Sequence, residues 1–117
     1  MALHACATGG VRFALAVVPV DDAARVTDVA VELRRSMVTN LGAGEAAAAR
    51  PWSVRGATPN GAAGRTSLVG RGAARTPVAA ELGLFVNGTT VLQAMVVGET
   101  VPPDVADTFL ASFAVAN

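Results

Sequence analysis

The sequence predicts an α+β domain: an antiparallel sheet of about five strands with a helix packed on each face. Three observations carry that expectation. An apolar stripe at helical spacing runs from Val26 to Met37, and a Pro-Pro-Asp start opens a second stripe near the end of the chain. Between them, an Asn-Gly divides two apolar runs at 81–98. The element order read along the chain is β-α-β-β-β-β-α, in one domain over 11–117 behind a flexible N-terminus at 1–10. At 117 residues the chain can bury a core without staples.

Val11 to Val20 reads as a buried strand, β-branched and apolar, with Pro19 near its end where a missing N–H is tolerated. Asp21 and Asp22 offer an N-cap and negative charge at a helix start. Val26, Val29, Ala30, Leu33 and Met37 then form one apolar stripe, with Arg25–Asp28 and Glu32–Arg35 as i, i+3 pairs and Asn40-Leu41-Gly42 as a stop. Residues 43–49, all small or acidic, are either a linker or a stray helical turn. From Arg50 onward, short runs broken by Gly, Pro and Asn suit an antiparallel meander whose first strand is "WSVRG" at 52–56, with 56–64 as a loose turn. Asn87-Gly88 reads as a type I′ hairpin turn, since both central residues of that turn need φ > 0. Pro102-Pro103-Asp104 opens the last helix, whose stripe is Ala106, Phe109, Leu110 and Phe113.

Composition narrows the function classes. Nine arginines and nine acidic residues cancel, which argues against a nucleic-acid partner, and no apolar run reaches the roughly 18 residues of a transmembrane segment. Arg50, Arg55, Arg65, Arg71 and Arg75 nevertheless fall in a stretch without an acid, as either an anion-facing surface or a set of solvated charges. One cysteine excludes an internal disulfide. Leu3-His4-Ala5-Cys6 has the form of a bacterial lipobox without its apolar leader, which makes Cys6 a candidate for lipidation. As the sequence stands the expected compartment is the cytoplasm, with a cell-surface lipoprotein the alternative if the natural start lies upstream.

No catalytic set is expected. His4, the single histidine, stands on the N-terminal segment, and His4 with Cys6 makes only two ligands, too few to hold zinc. Asp21-Asp22 and Asp104/Asp107 each stand at a helix start, where capping explains them. "PNGAAGRTS" carries Pro59 where a phosphate loop needs glycine, and Arg65 where it needs lysine. Neither a cofactor nor a metal is expected. Trp52 beside Arg50 and Arg55 is the candidate interface, with burial of Trp52 on the sheet as the competing explanation.

"LFVNGTTVLQAMVVG" followed by "PPDVADTFLASFAV" resembles the end of a widespread group of mostly uncharacterised bacterial proteins. The helix ending "SMVTNLGA" and the set Val54, Gly56, Gly64 and Arg65 are similar as well. Leu92 stands where the group has an aromatic residue, and the group's export signal has no counterpart here. The resemblance implies a PsbP-like α/β/α sandwich and a non-enzymatic binding or assembly protein, with an unknown protein as partner. The alternative is a carrier of a small apolar ligand held between the helix at 22–41 and the sheet, motivated by the chain's 25 alanines. An open sheet also leaves edges to be covered, charged or paired, and pairing would make a homodimer.

Overall fold

In the computed structural model, which describes residues 2–8, 10–42, 50–71 and 77–115, five strands form one open antiparallel sheet. They are β1 (Ala2–Thr8), β2 (Val11–Pro19), β3 (Gly64–Arg71), β4 (Pro77–Asn87) and β5 (Thr90–Gly98), laid side by side as β1-β2-β5-β4-β3. Helix α1 (Val26–Asn40) follows β2, and α2 (Pro103–Ala111) follows β5. The α+β class and the count of five strands stand as expected. The element order does not: it is β-β-α-β-β-β-α. Stretch 43–49 and Arg75 lie outside the described residues.

Two corrections account for the changed order. Of residues 1–10, expected as a flexible tail, residues 2–8 form β1, which runs in unbroken register from Ala2↔Val17 to Thr8↔Val11. "WSVRG", expected as a strand, is irregular. Its backbone and its flanks pair only at isolated bridges, Arg50 with Arg65 and Thr58 with Val86 on the sheet, and Arg55 with Ala114. Pro51, Gly56 and Pro59 explain this, because each interrupts the regular donor pattern or torsions a strand requires.

The local signals read above act as their chemistry dictates. Asp22 Oδ1 accepts from the Ala24 N–H at 2.9 Å, capping a single 3₁₀ turn at Ala23–Arg25 that leads into α1. Glu32 and Arg35 pair at 3.0 Å on the exposed side of the helix. The Leu41 N–H bonds the Met37 carbonyl, and Gly42 follows at φ +68°, stopping the helix. Pro19 lies past Val17, the last residue of β2 that pairs with β1, so its missing N–H interrupts no bond to that strand.

The β4–β5 hairpin shifts by one residue from the expected turn. Asn87 pairs with Thr90, so the two loop residues are Gly88 and Thr89, with Gly88 at φ +62° in the position that needs it. Asn87 ends the strand. The tip is tied down on both sides: the Gly88 N–H donates to Thr58 Oγ1 at 2.8 Å, and the Val20 N–H donates to the Thr89 carbonyl at 3.0 Å.

Alternation sorts the sheet's side chains. Leu82, Leu84 and Val86 of β4 share one side with Val91, Gln93, Met95 and Val97 of β5 and with Ala14, Ala16 and Val18 of β2. On that side Val26, Ala30 and their neighbours Val29 and Leu33 from α1 pack with Leu84, Val86, Val91 and Val20. Farther along α1, Met37, Val38 and Leu41 cover Leu68, Ala80 and Leu82. Phe13 and Phe85 occupy the alternate positions. Phe109 of α2 meets Phe13 with ring centroids 4.9 Å apart, and Phe113 meets Phe85 at 5.9 Å.

Candidate functional site: an apolar cleft beside the first strand

Arg50 and Arg65, two of the five arginines in the acid-free stretch, are drawn into one polar network. Ser67 donates to both oxygens of Glu81, at 2.9 and 2.8 Å, and Glu81 pairs with Arg50 and with Arg65, each at 3.4 Å. Arg65 also reaches Asp107 of α2 at 2.8 Å. Burial works against the Arg65 charge, but the hydrogen bonds it donates to Asp107 and Glu81 and the coulombic fields of those carboxylates outweigh it and hold the guanidinium above its ordinary range. The network ties α2 to the sheet and pairs both guanidiniums with carboxylates, Arg65 at 16% side-chain exposure and Arg50 at 56%. Arg34, on α1, donates to the Ala62 carbonyl, and burial lowers its pKa from the usual arginine value.

Trp52 is half-buried and lies across the strand at Gly83. A Cβ added at Gly83 would come within 2.6 Å of the indole ring, so glycine is what lets the ring approach the strand this closely. The ring meets Phe85 edge-on at a centroid distance of 5.8 Å. Arg55 is exposed, and its carbonyl accepts from the Val115 N–H at 2.8 Å. Of the three candidate interface residues, two are therefore engaged within the chain through their side chains.

His4 and Cys6 are two apart in β1, on one side of the sheet, opposite Leu15 and Phe13. Both are exposed. Among the described residues no group of three or more His, Cys, Asp or Glu lies close enough to hold a metal ion. Lipoprotein processing at Cys6 would remove Ala2–Ala5, more than half of the 7-residue strand.

One large concave feature among the described residues is not announced by the sequence. A cleft of about 550 Å³ opens between the C-terminal half of α1 and the β1–β2 end of the sheet. Its floor is made by Leu3, Ala5 and Ala7 of β1, Ala14 of β2, and Met95 and Val97 of β5; Met37 and Leu41 form the wall. Its cause is geometric. Helix α1, 15 residues and so about 22 Å long, lies over β3, β4 and β5. The strands beyond it carry alanines, whose side chains are too short to fill the space. Arg12 is the single charged residue on the lining, exposed at the rim and without an ion-pair partner among the described residues. A second, shallower depression of about 380 Å³ lies over His4, Phe13, Leu15, Phe109 and Phe113.

Two buried polar side chains remain unexplained by packing. Gln93 and Thr66, each 1% exposed, have no hydrogen-bond partner for the amide or the hydroxyl among the described residues. Both lie on the α1 side of the sheet, Gln93 in register with Ala16 and, through it, with Leu3 of the cleft floor.

Among the described residues no helix is long and apolar enough to cross a membrane. Comparison with protein-family models, with curated proteins and with solved structures finds no match for the chain.

Proposed function

We propose that the protein is a non-enzymatic binding protein that holds a small apolar ligand in the cleft between α1 and the β1–β2 end of the sheet. The cleft carries this proposal. Its volume of about 550 Å³ falls within the roughly 300–1,000 Å³ typical of small-molecule sites. Its lining residues are apolar, Phe13 among them, apart from Cys6 and one cation, Arg12, at the mouth. That distribution suits a ligand with an apolar body and a single anionic end: the body displaces water from Ala5, Ala14, Met37 and Met95, and the anion stays at the rim, where its charge need not be desolvated. Alanine is the functional residue here in a negative sense, since its short side chain leaves room.

The architecture we take as a PsbP-like α/β/α sandwich with a helix on each face. In support, α1 packs against Leu84, Val86 and Val91, whereas Phe109 of α2 and Phe113 just beyond it meet Phe13 and Phe85, which occupy alternate strand positions. An experimental structure with both helices on one side would overturn it.

A long-chain fluorescent fatty acid tests the ligand proposal. Saturable binding is expected, reduced by Val97→Trp, which fills the cleft from a half-buried strand position that accepts aromatics, and weakened by Arg12→Ala. Binding that survives Val97→Trp unchanged in a folded variant, or no binding at all, refutes it.

A further inference from the structure

The two edges of the sheet are treated differently. On the β3 side, Arg50 bonds the strand from outside: its N–H donates to the Arg65 carbonyl at 2.7 Å and its carbonyl accepts from the Arg65 N–H at 2.9 Å. The same strand is charged at Arg65 and irregularly flanked. Edge β1 has neither device. It is a 7-residue strand without a charged side chain, among the described residues it pairs only with β2, and Leu3 through Ala7 are all exposed, Leu3 at 59%. A long, neutral, uncovered edge is a template for another strand.

Its free groups can be identified. The Val20 N–H bonds the Thr89 carbonyl of the β4–β5 turn, so the even residues of β2 bond β5 and the odd ones, Val11, Phe13 and Leu15, bond their β1 partners Thr8, Cys6 and His4. Alternation then turns the N–H and C=O of Cys6 and His4 toward β2, and those of Leu3, Ala5 and Ala7 outward. We infer that these outward groups pair with the same strand of a second copy, antiparallel about a two-fold axis at Ala5. Ala5 then faces the second copy's Ala5, and Leu3 faces the second copy's Ala7, a large residue against a small one on each side of the axis. Roughly six main-chain hydrogen bonds form, all from groups otherwise left to water. The formal net charge is +0, so long-range repulsion does not oppose the approach.

The pairing rests on the strand edge and is independent of the ligand proposal, but it bears on the same cleft. Leu3, Ala5 and Ala7 are at once the outer margin of the cleft floor and the strand that would be paired. In the dimer the two floors adjoin across the axis, and each copy closes the open side of the other's cleft.

Sedimentation equilibrium of the full chain, with amide exchange of Leu3, Ala5 and Ala7, tests this. The expected result is a dimer in which those amides are protected in proportion to dimer population. Ala5→Pro removes an outward N–H and leaves the β1–β2 ladder intact, so it should give a folded monomer. His4→Cys places a thiol opposite the second copy's Cys6, and oxidised glutathione should then link two chains; the unsubstituted protein should not link. A monomer at all concentrations overturns the inference. So does a dimer unaffected by Ala5→Pro with outward amides exchanging freely, and so does protection of those amides in a monomer, which would mean that another segment covers the edge.

Discussion

Replacing Gly83 by alanine isolates one contact that holds Trp52. The added Cβ would lie 2.6 Å from the nearest indole carbons, against an ordinary contact of about 3.5–4.0 Å, so the ring must retreat by about 1 Å. Retreat disturbs the edge-on pair with Phe85, worth roughly 0.5–1.5 kcal/mol, and re-exposes on the order of 50 Å² of apolar surface, worth about 1.2 kcal/mol. Against these, alanine recovers about 0.5 kcal/mol that glycine costs in a strand. The net expectation is a loss of about 1.5 kcal/mol, which at an m-value of about 1.5 kcal/mol/M moves the urea midpoint down by about 1 M. Fluorescence of Trp52, the single tryptophan, follows the transition and should also report a more polar environment in the folded variant. The decisive arm is Trp52→Ala, monitored by circular dichroism. With the ring gone, Gly83→Ala should become neutral or stabilising by about 0.5 kcal/mol, a coupling of about 2 kcal/mol. Equal costs in both backgrounds would refute the ring-on-glycine explanation.

Gln93→Leu and Thr66→Val should each stabilise the protein by about 1 kcal/mol or more, because each removes a buried polar group without a partner among the described residues; destabilisation by both in thermal melts would mean that partners exist. Leu110→Ala, at a fully buried position of α2, should cost about 3 kcal/mol in urea denaturation. Glu81→Gln should cost more than Asp107→Asn by the same measurement. Glu81 is 18% exposed and serves Arg50, Arg65 and Ser67, whereas Asp107 is 64% exposed and its loss, below about 1 kcal/mol, leaves Arg65 paired with Glu81.

The parts legible in the sequence are those whose cause is local. Asp22 caps from two residues away, the stripe from Val26 to Met37 follows from helical periodicity, and Gly42 stops the helix by its own torsion. Strand β1 was missed because "ALHACAT" has little strand propensity; its register is inherited from β2, and the signal that could have exposed it is the Gly9-Gly10 pair before an apolar run. "WSVRG" misled for the opposite reason, since its apolar residues serve tertiary contacts: Trp52 covers Gly83 and Val54 is buried. The partners of Arg50 and Arg65 lie at Glu81 and Asp107, so the absence of an acid nearby in sequence carried no information about charge balance in space. The cleft was foreseeable only as a surplus of alanine, because its position depends on where α1 ends relative to β1.

The order of strands also bears on how fast the chain folds. The β1–β2 and β4–β5 hairpins and the β3–β4 pair are each short-range, but β2 and β5 meet along the whole seam from Val11↔Gly98 to Pro19↔Thr90. Closing that seam encloses α1 and all of β3 and β4, so its loop entropy must be met before the central contact of the sheet repays it. Until it forms, the β1–β2 hairpin has only its own two strands, too few for independent stability in water. Folding should therefore be slow for a chain of this size, and the N-terminal hairpin should be the last piece to gain protection and the first to lose it.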